Sequence, residues 1–229
     1  MTDSNDMISD SSGSPVCTDV SAVAVTAPAA SATVKDEKKA FVSPATLPTQ
    51  EGPAGIRYDF NLGCRVQLPE GAWTIRLTDL DTGNTLFETK AGKATVNSAK
   101  RFYVRFGIEV KDAAGTVFMH AFDCRDRDVL VQLPVGTLGD TLGWFPYVAR
   151  LGEVRGCRLT CVMAAPIIPL FRTTYPQIRF ITPEELEGID LLNTFYATYT
   201  LGLFFEDSEH VWQPSDFRLV GLHRTAGYI

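Results

Sequence analysis

Residues 128–151 read DVLVQLPVGTLGDTLGWFPYVARL, and the hydrophobic period changes inside them. Up to Leu133 the apolar residues are consecutive and β-branched, the texture of a strand. Beyond Pro134 they fall at Leu138, Leu142, Phe145, Val148, Ala149 and Leu151, a stripe with helical spacing. Gly136, Thr137 and Gly139 lie between, with Gly143 one turn on, and glycine permits the tight backbone of a strand-to-helix turn. In open α/β sheets such turns sit at the carboxyl edge, where ligands bind. A helix start there offers free N–H groups to a phosphate or carboxylate. Asp140 is expected at that start, either as an N-cap for its own first turn or as a carboxylate base facing a ligand. Spacing leaves both roles open.

On the N-terminal side, IRYDFN, RVQLPEG, WTIRLTD, TLFETK, KRFYVRFGIEV, TVFMHAF and DVLVQLP are short runs rich in β-branched and aromatic residues. Turn signals separate them: PEG at 69–71, DTGN at 81–84 and DAAG at 112–115. Within 101–110, alternation predicts Phe102, Val104, Phe106, Ile108 and Val110 on one face, and Arg101, Tyr103, Arg105 and Glu109 on the other. These runs predict a small β-sandwich or barrel ending at Leu133, with Trp73 and the other aromatics in its core. Residues 1–50 are rich in Ser, Thr, Ala, Asp and Pro, with almost no aromatics, and are expected to form a disordered leader.

On the C-terminal side, the strand CRLTCVM, a short helix around Pro166–Arg172, the strand QIRFIT, the acidic stretch PEELEGID and the apolar TFYATYTLGLFF follow in turn. Alternating strands and helices predict a parallel sheet, and consecutive apolar positions predict strands covered on both faces. The expected organisation is therefore α+β and multidomain: a leader at 1–50, a β-barrel or sandwich at 51–133, and an α/β unit at 134–229. About three strands stand where a doubly wound sheet carries five or six, so the α/β unit reads as truncated.

Composition narrows the function. The 229 residues carry a formal net charge of -6 and no Lys/Arg-rich block, which argues against nucleic acid as a partner. No apolar run approaches the ~20 residues that span a bilayer as a helix. The N-terminus MTDSNDMISD is acidic, and Val20–Val34 lacks the Leu or Phe of a signal core, so a cytoplasmic protein is expected. The five cysteines are scattered and do not read as a disulfide framework. Cys157 and Cys161 share a strand face, but without a second ligand cluster they read as core thiols rather than a metal pair. The Pro134–Pro146 stretch lacks the GK[ST] ending of a phosphate loop and the GxGxxG dinucleotide fingerprint. A hydrolase reading finds no GxSxG elbow.

PVGTLGDTLGWFPYVARL resembles the active-site region of the bacterial autotransporter heptosyltransferases, relatives of the lipopolysaccharide heptosyltransferases. QEGPAGIRYDFNLGCRVQLPEGAWTIRLTDLDTGNTLF resembles that family's N-terminal β-barrel. CRLTCVMAAPII, YPQIRF, YATYTLGLFF and QPSDFRLVGLHRTAGYI resemble its first Rossmann-like half. The likeness covers roughly residues 48–229, and it implies the front portion of a two-Rossmann-domain glycosyltransferase. It further implies transfer of heptose from ADP-heptose to serine hydroxyls of autotransporter adhesins, with homo-oligomerisation and with Asp140 as the base. Gly136, Thr137, Leu138, Gly139, Gly143, Trp144, His223 and Arg224 are the substrate-binding candidates, Trp144 being divided between ligand and core. The family's iron site and most of its nucleotide contacts would lie in the absent half, leaving no cofactor here. The alternative is a non-catalytic module that binds a protein partner.

Overall fold

The junction between antiparallel and parallel pairing organises the chain. The computed structural model describes residues 25–26, 42–133, 138–187, 190–202 and 211. Gly136, Thr137, His223, Arg224 and the leader at 1–24 and 27–41 lie outside the described residues.

The larger sheet holds nine strands among these residues: β1 (Val25–Thr26), β2 (Gln50–Glu51), β3 (Arg57–Asn61), β4 (Arg65–Leu68), β7 (Ala94–Asn97), β10 (Asp128–Gln132), β11 (Arg158–Val162), β12 (Arg179–Ile181) and β13 (Ala197–Thr200). Its order is β1-β7-β4-β3-β13-β10-β11-β12, with β2 also on β3. The β1, β7, β4, β3 and β2 pairings are antiparallel, whereas β3–β13, β13–β10, β10–β11 and β11–β12 are parallel. A second, four-stranded antiparallel sheet runs β6 (Thr85–Ala91), β5 (Trp73–Asp79), β8 (Phe106–Asp112), β9 (Gly115–Ala121). The expected β-module thus forms open sheets and no closed barrel, and DVLVQ leaves it to become β10 at the centre of the parallel unit. The physical reason is burial: Val129 to Gln132 are all buried, which a strand with one wet face would not require.

Helices α1 (Leu138–Arg155) and α2 (Ile168–Arg172) connect β10 to β11 and β11 to β12. Side chains alternate across β10, so Val129 and Val131 join the cluster holding Phe145, Val148, Leu151 and Phe171. Leu130 joins Val162, Ile181, Phe195 and Leu186 of α3 (Pro183–Glu187) on the other face. Helix α1 ends where Gly156 takes a left-handed φ of 64° and donates its N–H to the Gly152 carbonyl at 2.9 Å. Pro146 sits inside α1 on its exposed side.

Rings join the two sheets. Phe60 of β3 meets Phe122 and Tyr196 at centroid distances of 4.9 and 5.0 Å, and Tyr58 meets Phe118 and His120 at 5.0 and 4.5 Å. The alternation expected from residue 101 holds only from Phe106, where β8 begins. Before it the chain bends, with the Phe106 N–H donating to the Val104 carbonyl at 3.0 Å, and Tyr103 turns inward onto Phe122 and Tyr199.

A buried polar network crosses the junction. Asp59, fully buried, accepts from Arg65 Nε at 2.8 Å and Nη2 at 2.6 Å, and from Asn61 Nδ2 at 2.7 Å. Asn61 donates to the Phe195 carbonyl at 2.9 Å and accepts from Thr198 Oγ1 at 2.7 Å, tying β3 to β13. Residues 42–49, grouped with the leader by composition, pack here instead. Thr49 N–H donates to Asp59, Arg65 Nη1 donates to the Ala45 carbonyl, and Gln132 exchanges two hydrogen bonds with the Val42 backbone at 2.9 and 3.0 Å. Their own side chains gave no sign of this, because the partners are mostly backbone groups.

Replacing Asp59 with Ala leaves a nearly buried guanidinium without its anion, and a loss of about 3–5 kcal/mol is expected. Thr198→Val removes one hydrogen bond and should cost about 1–2 kcal/mol. Urea midpoints at neutral pH compare the two; equal losses would deny Asp59 its central position.

His120 yields a pH prediction. The Tyr196 hydroxyl accepts from the Asp123 N–H at 3.1 Å and shares a hydrogen bond with His120 Nε2 at 2.9 Å, and burial followed by the charge of Arg127 holds the imidazole pKa down. Above its ordinary value of about 6.5 this neutral histidine adds no pH dependence. Below it the unfolded chain gains a proton that the folded chain refuses, so stability falls with pH until the depressed folded pKa is reached. The urea midpoint of wild type should drop between pH 7.5 and 5.5 by more than that of His120→Gln.

Candidate functional site

The parallel strands run β12-β11-β10-β13: the chain passes from β10 through β11 to β12 on one side, then crosses back to place β13 on the other side of β10. That reversal falls at the carboxyl ends of β10 and β13, the usual place for ligands in open α/β sheets. Gln132 and Thr200 end the two strands opposite each other, and the Leu201 N–H donates to the Gln132 carbonyl at 2.9 Å. Helix α1 starts at this edge.

Asp140 lies in the first turn of α1 and is exposed. The helix begins at Leu138, two residues before the aspartate, so Asp140 is not at the capping position expected for it. A carboxylate in a first turn still gains from the helix dipole. Leu138 and Leu142, expected on the core stripe, are 51% and 48% exposed; Thr141 and Phe145 take the inward positions instead. Phe145 packs on Phe171 at 4.1 Å and fixes the rotation of the helix. Trp144 is half-buried and packs against the core. Gly139 and Gly143 are exposed inside the helix, and a methyl group on Gly143 would meet nothing within 4 Å, so close approach does not explain that glycine.

Sequence reasoning missed two features of this edge. Thr200 Oγ1 is buried with no hydrogen-bond partner among the described residues, which leaves a hydroxyl to offer at the end of β13. A cavity of 370 Å³ adjoins the carboxyl end of β3, lined by Ser43, Thr46, Asn61, Arg65, Asn97 and Arg101 among others. No local motif announces either, since each depends on strand neighbours distant in sequence. A larger cavity, 470 Å³, lies at the opposite edge near Cys157, Arg158 and Arg179. Among the described residues no group of three or more His, Cys, Asp or Glu stands close enough to hold a metal ion. No described helix is long and apolar enough to cross a membrane.

A mixed α/β sheet with an acidic first turn at its carboxyl edge is the class of scaffold seen here, and the comparisons specify it further. Residues 52–113 match the family described as the N-terminal domain of glycosyltransferase TibC. The autotransporter heptosyltransferase BAHTCr of Citrobacter rodentium is 48% identical over 191 residues, covering 82% of this chain and 46% of that protein. Autotransporter heptosyltransferase TibC of Escherichia coli O78:H11 is 47% identical, with 82% and 46% covered. The inactive autotransporter heptosyltransferase BimC of Burkholderia thailandensis is 44% identical, with 83% and 44% covered. The crystal structure of TibC, described as iron-containing and dodecameric, superposes with a TM-score of 0.73 at 46% identity, over 82% of this chain and 48% of that one. TibC in complex with ADP-D-beta-D-heptose gives 0.72. The chain is thus a relative of the autotransporter heptosyltransferases over their N-terminal portion, and it spans about half the length of the relatives it matches.

Because Asp140 is exposed and interacts with the helix dipole, Asp140→Asn should change stability by no more than about 0.3–1 kcal/mol. A chemical-denaturation curve tests this. A shift several times larger would make Asp140 a structural residue.

Proposed function

We propose that the chain is the N-terminal portion of a protein O-heptosyltransferase that moves heptose from ADP-heptose to serine hydroxyls of an autotransporter adhesin. In this reading 134–229 supplies the first Rossmann-like half, 51–133 the β-rich module and 1–50 the leader, although β10 belongs by its pairing to the catalytic sheet. The observation that carries the proposal is the exposed Asp140 carboxylate at the carboxyl edge of the switch point, in a chain 46% identical to a protein crystallised with ADP-heptose.

The chemistry follows from the residue type. A serine hydroxyl is a weak nucleophile at neutral pH, and a carboxylate in hydrogen-bond reach takes its proton as the oxygen attacks the anomeric carbon. The bond from that carbon to the ADP oxygen breaks, and the developing positive charge on the sugar favours the same anion. Thr200 and the α1 start offer polar contacts to the sugar or acceptor, joined by Gly136, Thr137, His223 and Arg224. TibC is described as iron-containing. The residues described here form no such site, so no step is assigned to iron. Homo-oligomerisation and a cytoplasmic location belong to the same proposal.

In the complete enzyme, Asp140→Asn should lower heptose incorporation into an adhesin repeat by roughly 10²–10⁴-fold with the fold intact, the usual worth of a general base. Transfer at the wild-type rate would remove Asp140 from the mechanism. One relative carries the name inactive at 44% identity, which favours a second reading, a partner-binding protein without transferase activity. Wild type that binds adhesin yet incorporates no heptose would establish it.

A further inference from the structure

Two cysteines outside the candidate site lie on adjacent segments at the amino edge of the parallel unit. Cys124 lies in the loop that leads into β10, and Cys157 lies between α1 and β11. Two backbone hydrogen bonds hold these segments together, Asp126 N–H to the Gly156 carbonyl at 2.9 Å and Arg158 N–H to the Arg127 carbonyl at 2.9 Å, and Arg127 N–H closes the turn after Cys124 on its carbonyl at 3.0 Å. The register continues directly into Asp128 beside Arg158. Cys157 packs against the buried cluster that contains Cys124. Cys124 is 3% exposed, whereas Cys157 is half-exposed and lines the 470 Å³ cavity.

The surroundings favour a thiolate. Arg155 lies over the Tyr103 ring at 5.3 Å, and its buried Nε has no hydrogen-bond partner among the described residues. The Cys157 thiol, ahead of the Arg155 charge, holds the Cys124 pKa below the ordinary thiol value, against the effect of burial. By contrast, Cys161 is buried and its pKa is pushed upward by burial alone. Reactive cysteines sit near cations, and inert ones in apolar cores.

We infer that Cys124 and Cys157 are a dithiol oxidation site, converted by hydroperoxides into a disulfide that ties the loop before β10 to the end of α1. The thiolate attacks one peroxide oxygen and the O–O bond breaks. The sulfur becomes a sulfenic acid, and the leaving hydroxide or alkoxide takes up a proton as water or an alcohol. The second thiol then attacks the sulfenic sulfur, forming S–S and releasing water. Two electrons pass from the thiol pair to the peroxide. Hydrogen peroxide has access to Cys157 from the cavity that this residue lines.

The test treats the native chain with hydrogen peroxide, quenches it, and analyses it without reduction. A mass decrease of about 2 Da is expected, the two hydrogens lost on disulfide formation. Titratable thiols should fall from five to three, with one cross-linked peptide containing Cys124 and Cys157. Cys161→Ser should form the same cross-link; Cys157→Ser should form none and stop at oxygen addition on Cys124. A cross-link joining any other pair overturns the assignment, as does retention of both thiols while other cysteines oxidise. The peptide map of wild type decides the matter even if a variant fails to fold.

Discussion

The Asp59–Arg65 ion pair is the interaction on which the arrangement depends. Among the described residues only two pairs, Ala197 with Phe60 and Thr198 with Asn61, join the antiparallel and parallel halves by strand register. So short a seam would be weak by itself. The buried carboxylate organises what surrounds it: the guanidinium on β4, the amide of Asn61 that reaches β13, and the N–H of Thr49. A charge without water must find every partner it needs, and here those partners come from three separate stretches of chain. The network therefore acts as a specificity device as much as a stabilising one.

Rigidity at that seam matters for the carboxyl edge. β13 carries Thr200, β10 leads to α1 and Asp140, and β3 borders the polar cavity. The Asp59 group ties β3 to β13, and β10 is held by its pairing with β13 and by Gln132 on the Val42 backbone, so the edge is built on a fixed floor. On the face bearing α1, the rings around Phe60 bind the second sheet to this floor, and Phe145 sets the turn of the helix that presents the carboxylate.

Much of this was legible in the sequence, for reasons that can be named. WTIRLTD became β5 because turn signals bounded it, and FGIEV alternates as a half-exposed strand should. The strand-to-helix change at Pro134 placed α1 and Asp140 correctly on a helix at the end of a strand. The grouping of strands was not legible: DVLVQ reads equally well as the last strand of a β-module or the first of a parallel sheet, and only its neighbours distinguish them. Residues 42–49 lacked the apolar content that predicts order, yet backbone hydrogen bonds to Arg65 and Gln132 provide it. Within the site, exposed Leu138 and Leu142 show that helical spacing identifies a stripe but not how far the core extends along it. The hydroxyl of Thr200 was invisible because an unsatisfied group exists only in three dimensions.

The hydrogen bond from Thr198 to Asn61 spans 137 residues of sequence, and this has a bearing on birth at the ribosome. The amino-terminal strands emerge first, with the Asp59 and Asn61 side chains and one edge of β3 still unmatched. At the usual elongation rates the strand that completes them follows roughly 7 to 27 s later. Through that interval β3 is an open edge with polar groups in water, and it cannot commit to its final neighbours. Synthesis, rather than diffusion of the finished chain, sets the earliest moment at which the two halves become one structure.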